Sequence, residues 1–134
     1  QAHFDEVTGL PKRVLFRDRL STALTGARID GRKLAVLMIE VDTGHKAETL
    51  LSGAGTEQFL RIAARRVHGV ARGRDTACRI DGNTFALLLD ELPDERVAAT
   101  VATCNTCSMR VQIWSFSGLK KTWVLCFSLR KDVS

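Results

Sequence analysis

The chain has 134 residues, of which 45% are hydrophobic and 26% charged, the composition of one ordinary globular domain. Its longest apolar run, Leu34–Ile39, has the length of a strand, and no basic-then-apolar leader precedes it, so we expect neither a membrane span nor a signal peptide. The 20 basic and 15 acidic residues give a net charge of +5, which favours anionic partners such as nucleotides. Nucleic-acid binding is not expected, because the 6% of aromatic residues are not interleaved with the basic run.

The first half of the chain predicts a helix, a strand and a second helix. Thr8 is predicted to cap the first helix, with Pro11 in its first turn, and an apolar stripe at helical spacing ends near Asp30–Gly31. Lys33–Asp42 is continuous and apolar and predicts a buried strand that finishes on two acids. Phe59–Val70 has the apolar spacing of a second helix.

The second half predicts a hairpin, a third helix and two further strands. Ala77–Ile80 and Phe85–Leu89 flank an Asp-Gly turn signal. Pro93 opens a helical pattern, and Arg110–Phe116 and Thr122–Leu129 have the composition of strands. Short strands alternating with helices indicate a mixed α/β sandwich around one central sheet.

The cysteines and histidines do not indicate a metal site or a hydrolase. Cys104 and Cys107 form a C-x-x-C pair, but no second pair or suitably spaced histidine completes four ligands. The three histidines lie apart from any nucleophile signature. Cys78 and Cys126 fall in predicted strands as small hydrophobic residues, so a reducing, cytoplasmic compartment is expected.

Four segments in this order resemble diguanylate cyclase (GGDEF) domains. They are "DEVTGLPKR" (Asp5–Arg13) for D-x-L-T-G-L-P-N-R, "MIEVD" (Met38–Asp42) for the strand written D-x-D-x-F-K, "GTEQFLRIAARRV" (Gly55–Val67) for the G-D-E-x-L helix, and "RIDGNTFALLL" (Arg79–Leu89) for R-x-G-G-D-E-F-A-x-L-L. The resemblance implies one domain over residues 1–134, cut from a larger signalling protein. Its α+β fold should resemble nucleotide cyclases and the polymerase palm, with about five mostly antiparallel central strands flanked by helices.

The catalytic positions implied by the resemblance have changed. In the family, two GTP molecules are joined into cyclic di-GMP by divalent metals held between carboxylates of the first catalytic strand and the GGDEF turn. Here Glu40 replaces the metal-binding Asp and Asp42 is retained, which leaves these two as metal candidates. In the turn, Asp81 replaces the first glycine, Gly82 is kept, and Asn83 and Thr84 replace both acids.

These substitutions predict a domain that makes no cyclic di-GMP. Loss of one preorganised charge contact costs about a hundred- to a thousandfold in rate, and several are lost here. No catalytic residue set is intact and no cofactor is required, although Mg2+ would accompany a bound nucleotide.

Two ligand sites of the family can be located by position. Arg72 and Asp75 form the R-x-x-D motif of the product-inhibition site, where an arginine could bind guanine O6 and N7 and a carboxylate its N–H donors. Glu48 and Thr56 fall at the guanine-reading positions of the GTP site. The alternative for Arg72 is that it only places a favourable positive charge at a helix C-terminus. The alternative for Glu48 and Thr56 is that both are polar residues that face solvent.

The sequence therefore predicts a degenerate, regulatory GGDEF domain that senses cyclic di-GMP through Arg72 and Asp75, or GTP, beside sensor and phosphodiesterase (EAL) domains of the same chain. Two alternatives stay open. One is a weakly active cyclase using Glu40 and Asp42, and the other is a homodimerising interaction module that binds no nucleotide.

Overall fold

The structure of the chain is a computed structural model that describes residues 3–41, 53–92, 109–117 and 120–129. The elements in chain order are α1 (Arg13–Asp30), β1 (Lys33–Val41), α2 (Gly53–Val70), β2 (Thr76–Asp81), β3 (Thr84–Leu92), β4 (Met109–Ser117) and β5 (Lys120–Leu129). Both helices and all five strands were predicted from the sequence. The helix predicted from Pro93 and the Cys104–Cys107 pair lie outside the described residues.

The strands form one sheet in the order β2-β3-β1-β4-β5, and every neighbouring pair is antiparallel. The central strand β1 pairs with β3 on one side and with β4 on the other. The expected sheet of about five antiparallel strands is therefore confirmed.

The sheet is covered by one helix on each face. Leu34 and Val36 of β1 pack with the α1 side chains Phe16, Ala23 and Ala27. The alternate β1 residues Ala35, Leu37, Ile39 and Val41 pack with Leu60, Ala63, Ala64 and Val67 of α2. Because successive strand residues point to opposite faces, burial of both faces requires the unbroken apolar run that the sequence shows in β1.

The start of α1 differs from the prediction. The helix begins at Arg13 with Lys12 as its N-cap and no side-chain capping bond. Thr8 instead donates its hydroxyl, at 2.7 Å, and its backbone N–H, at 2.8 Å, to the carboxylate of Asp5, and Pro11 forms a β-bridge with Phe4. The prediction of Thr8 as the helix cap was wrong, because the helix begins only at Arg13, and the Thr8 hydroxyl accepts the backbone N–H of Leu10, at 3.3 Å, in the segment before it.

The end of α1 agrees with the prediction. Gly31 has a left-handed φ of 71° and donates its backbone N–H to the carbonyl of Ala27 at 2.8 Å. Neither of the two described helices has the length and apolar character of a membrane span.

Candidate functional site

The hairpin turn that carries the changed signature lies at one end of the sheet. Gly82 and Asn83 connect β2 and β3, and Asp81 stands opposite Thr84. Gly82, the first turn residue, has a φ of 28°, a backbone conformation that residues with a Cβ rarely adopt. Asp81 and Gly82 are exposed, whereas Asn83 and Thr84 are half-buried.

The end of β1 lies directly beside this turn. In the antiparallel register, Ile39 stands opposite Phe85 and Glu40 opposite Thr84. Strand residues directly opposite one another project from the same face of a sheet, so the predicted metal carboxylate adjoins a hydroxyl side chain. The structure thus brings Glu40 together with the predicted turn, while Asp42 lies outside the described residues.

Asn83 fastens the turn to β1. Its side-chain amide nitrogen donates a 2.7 Å hydrogen bond to the backbone carbonyl of Val41, and its own carbonyl accepts the backbone N–H of Val41 at 2.9 Å. An ionised carboxylate has no hydrogen to donate, so an acid at this position could not make the first bond. The resemblance predicted that Asn83 replaces an acid, but it did not predict this bond, which depends on strand register.

The described residues do not gather a metal-binding set. Among residues 3–41, 53–92, 109–117 and 120–129, no group of three or more His, Cys, Asp and Glu residues lies close enough to hold a metal ion. Since Asp42 is outside these ranges, the metal role of Glu40 with Asp42 stays a prediction.

Arg79 links the turn to the segment before α1. Its Nε donates to the carbonyl of Gly82 at 2.9 Å, and its Nη1 lies 3.1 Å from both carboxylate oxygens of Asp5. Both side chains are 16% exposed. The pKa of Asp5 would be raised by burial, but hydrogen bonds from Thr8 and Arg79 outweigh burial and lower it. This ion pair spans 74 residues of sequence and was not predicted.

The backbone reinforces the same link. Arg79 donates its N–H to the carbonyl of Pro11 at 3.0 Å, and Lys12 pairs with it in a parallel bridge. The residues just before α1 therefore cover the outer edge of β2, at the strand end that leads into the turn.

Arg72 and Asp75, the predicted product-inhibition pair, form a fork. Nε of Arg72 lies 2.8 Å from Oδ2 of Asp75, and Nη2 lies 3.1 Å from Oδ1. The Arg72 side chain is 38% exposed, whereas that of Asp75 is fully buried at 0%. Hydrogen bonding to Asp75 raises the pKa of the Arg72 guanidinium.

Asp75 has no spare acceptor capacity for a guanine edge. Besides the fork, Oδ2 accepts the backbone N–H of Arg72 at 2.8 Å, and Oδ1 accepts the backbone N–H of Asp90 at 3.1 Å. Nη2 of Arg72 also donates to the carbonyl of Asp90 at 3.1 Å. The pair therefore braces the loop before β2 against the end of β3.

A cavity of about 300 Å3 opens beside this pair. Its lining comes from the segment before α1, from α1, from the end of α2 and from the start of β2, and includes Arg19, His68, Arg72, Gly73, Asp75 and Thr76. This volume is at the lower end of the range for small-molecule sites.

The predicted guanine-reading residues remain undescribed. Glu48 lies outside the described residues, and for Thr56 only the backbone, in the first turn of α2, is described. Their role in binding a base stays a prediction.

The chain is similar to known proteins over most of its length. The family described as "Diguanylate cyclase, GGDEF domain" matches residues 2–122. Diguanylate cyclase TpbB of Pseudomonas aeruginosa is 36% identical over 113 residues, covering 84% of this chain and 26% of that protein. The bifunctional diguanylate cyclase/cyclic di-GMP phosphodiesterase MucR of the same organism is 38% identical over 99 residues, covering 73% of this chain and 14% of that protein.

The solved structure of the GGDEF domain of TpbB from Pseudomonas aeruginosa superimposes with a TM-score of 0.78 at 28% identity, covering 87% of this chain and 79% of that one. The predicted palm-like fold is thereby confirmed. The chain spans about a quarter or less of the length of its curated relatives. It belongs to the diguanylate cyclase (GGDEF) family of cyclic di-GMP signalling domains.

Proposed function

We propose that this domain is a non-catalytic GGDEF module that regulates cyclic di-GMP signalling by binding a cyclic dinucleotide beside Arg72. The observation that supports the absence of catalysis is the hydrogen bond from the Asn83 side chain to the carbonyl of Val41. The residue that takes the place of a metal-binding acid is neutral, and its amide is committed to holding the turn against β1.

The loss of charge around the turn supports the absence of catalysis. Glu40 faces the hydroxyl residue Thr84, so no second carboxylate of the hairpin stands opposite it. In the family's reaction the 3′-hydroxyl of one GTP attacks the α-phosphate of the other and pyrophosphate leaves, which requires metals to neutralise the negative charge that gathers on the phosphates. Each lost charge contact costs about a hundred- to a thousandfold in rate, so the combined loss leaves turnover close to the uncatalysed level.

The surroundings of Arg72 support ligand binding. Its guanidinium is 38% exposed, and within the described part of the chain its Nη1 donates no hydrogen bond. An arginine held in place by a buried carboxylate presents its remaining donors in a fixed direction, which reduces the entropy lost when a ligand binds.

The place of the domain in a larger protein is part of the proposal. MucR is named as both a cyclase and a phosphodiesterase, and this chain corresponds to 14% of it. We propose that sensor and EAL-type phosphodiesterase domains adjoin the present domain in a cytoplasmic protein and that ligand binding alters their activity.

The catalytic part is tested by incubating the domain with GTP and either Mg2+ or Mn2+ and measuring cyclic di-GMP by mass spectrometry. We expect no product above the enzyme-free control. A matched variant with Asp81→Gly, Asn83→Asp and Thr84→Glu restores the family turn and shows whether the scaffold can still support turnover. Product formation by the unaltered domain would establish a weak cyclase instead.

The binding part is tested by calorimetry with cyclic di-GMP on the wild type, Arg72→Gln and Arg74→Ala. Gln keeps a donor toward Asp75, so Arg72→Gln removes the guanidinium without leaving the buried carboxylate bare. Arg74→Ala is the matched control, because Arg74 lies in the same loop and is paired only with exposed Glu91 among the described residues. We expect heat from the wild type and from Arg74→Ala, and none from Arg72→Gln.

The closed Arg72–Asp75 fork favours one second candidate, a dimerising interaction module without a nucleotide ligand. A flat wild-type trace, together with a concentration-dependent dimer in analytical ultracentrifugation, would establish that function and end the ligand-sensing proposal.

A further inference from the structure

The cavity beside Arg72 contains a second arginine that the R-x-x-D motif does not include. Arg19 lies on α1, three residues after buried Phe16 and four residues before buried Ala23. Residues three and four apart share a helix face, so this spacing places Arg19 on the flank of the buried stripe, next to β2. Within the described residues, Arg19 makes no hydrogen bond or ion pair, in contrast to Arg72.

The charge of the cavity is positive. Its lining holds Arg19, Arg72 and Asp75, which sum to a net charge of +1 when His68 is left uncounted. The carboxylate of Asp75 is already matched by Arg72, so the uncompensated charge is that of Arg19. The end of α2 contributes only about half a negative charge from its macrodipole, which is less than one full guanidinium.

The hydrogen-bonding character of the charged groups in the cavity is equally one-sided, although its neutral Thr76 hydroxyl can also accept. Asp75 accepts four hydrogen bonds from Arg72 and Asp90, which leaves no carboxylate oxygen free for donors of a base. Arg19 and the Nη1 of Arg72, which donates to no other described residue, are donors only. The charged side chains of the cavity therefore match a ligand that offers acceptor atoms, and the strongest such acceptors in a cyclic dinucleotide are the phosphodiester oxygens.

We infer that Arg19 is a second ligand-binding arginine of this site and that Arg19 and Arg72 together bind the phosphodiester of a cyclic dinucleotide. This inference rests on the proposed ligand site at Arg72. It also predicts low base specificity: guanine differs from adenine by its O6 acceptor and its N–H donors, and with both arginines on the phosphates and Asp75 occupied, no charged side chain of the cavity is left to read that edge. Cyclic di-AMP should then bind within about tenfold of cyclic di-GMP, because both carry the same phosphates.

The test is calorimetric titration of both cyclic dinucleotides into the wild type, Arg19→Ala, Arg72→Gln and Arg17→Ala. Arg17 is exposed on the same helix but does not line the cavity, so Arg17→Ala is a matched control for loss of one positive charge. Arg19 is exposed and alanine is a better helix former, so Arg19→Ala should fold, which thermal denaturation verifies. We expect Arg19→Ala to weaken binding of both ligands by about 10- to 100-fold and Arg17→Ala by less than about threefold.

Three other results would each overturn a defined part of this inference. If Arg19→Ala binds like the wild type while Arg72→Gln does not bind, the role of Arg19 is wrong and the proposed ligand site stands. If Arg19→Ala weakens cyclic di-GMP but the wild type does not bind cyclic di-AMP, recognition through the phosphates is wrong. If the wild type binds neither ligand, the proposed site and this inference both fail.

Discussion

The side-chain amide of Asn83 donates a 2.7 Å hydrogen bond to the backbone carbonyl of Val41, which joins the hairpin turn to the last residue of the central strand. The reciprocal bond from the Val41 N–H to the Asn83 carbonyl is 2.9 Å long. At the position where the resemblance to the family predicts an acid, Asn83 thus provides a structural contact. An ionised acid at this position could not make that contact.

The first prediction concerns Asn83→Asp. The carboxylate cannot donate to Val41 and faces a carbonyl oxygen, so we expect a loss of about 1–3 kcal/mol in the free energy of unfolding at pH 7. The loss should shrink below about pH 4, where the protonated carboxyl can donate again. Urea denaturation at several pH values measures it.

The control for this variant is Asp81→Asn, since Asp81 is exposed and adjoins the same turn. It should leave the free energy of unfolding nearly unchanged. An Asn83→Asp variant as stable as the wild type at pH 7 would show that the amide bond contributes nothing. The single variant should also form no cyclic di-GMP, because Asp81 and Thr84 remain.

The second prediction concerns the ion pair between Asp5 and Arg79. Asp5→Asn removes a charge that accepts bonds from Thr8 and Arg79, and both members of the pair are only 16% exposed. We expect it to lower the free energy of unfolding by about 1–3 kcal/mol at pH 7.

The pH dependence of that loss has a defined sign. The folded pKa of Asp5 lies below its ordinary value of 3.8, so its contribution is complete above that value and is lost as the pH falls through the lower folded pKa. The difference between wild type and Asp5→Asn should therefore be constant from about pH 8 to pH 5 and shrink below about pH 4. Exposed Glu6 provides the control Glu6→Gln, and an equal effect from it would refute a specific role for Asp5.

The third prediction compares two ion pairs of one loop. Asp75→Ala removes a fully buried carboxylate that holds the backbone N–H groups of Arg72 and Asp90. Because Arg72 is 38% exposed and solvent screens part of the attraction, we expect a cost of about 2–4 kcal/mol.

The comparison variant is Glu91→Gln, which breaks the pair with Arg74. Those side chains are 51% and 58% exposed, so the expected cost is below about 1 kcal/mol. Chemical denaturation of both variants measures the difference. Equal costs would mean that Asp75 does not brace the loop against β3.

The fold was predictable where local pattern and burial agree. Lys33–Val41 is buried on both faces, and a strand in that position has to be apolar throughout. The Asp-Gly signal located the hairpin because Gly82 adopts the positive φ that the turn requires. The start of α1 was not predicted, because Thr8 and Pro11 have the sequence signature of a helix entry, whereas the structure uses both of them in the hydrogen-bonded segment before Arg13.

The site was predictable only in part, because its contacts join distant parts of the chain. Asn83 meets Val41 across 42 residues, and Arg79 meets Asp5 across 74 residues. Such pairs depend on strand register, which a single sequence leaves undetermined. Arg72 and Asp75 are three residues apart and were recognised, but their closure into a fork is completed by Asp90, 15 residues beyond Asp75.

The final prediction concerns Cys78, which the sequence placed in a strand as a small hydrophobic residue. The structure buries it completely, at 0% exposure, among Phe16, Ala23 and Leu88. Burial raises the pKa of its thiol to about 12, although a hydrogen bond with the backbone of Ala86 opposes this. At pH 8 only about one molecule in ten thousand would carry the reactive thiolate.

We therefore expect iodoacetamide at pH 8 to leave Cys78 unmodified in the folded domain and to alkylate it fully in urea, as read by mass spectrometry of the Cys78 peptide. Glutathione in the same solution gives the rate of an exposed thiol, and alkylation of native Cys78 at that rate would show that α1 does not pack over this face of the sheet.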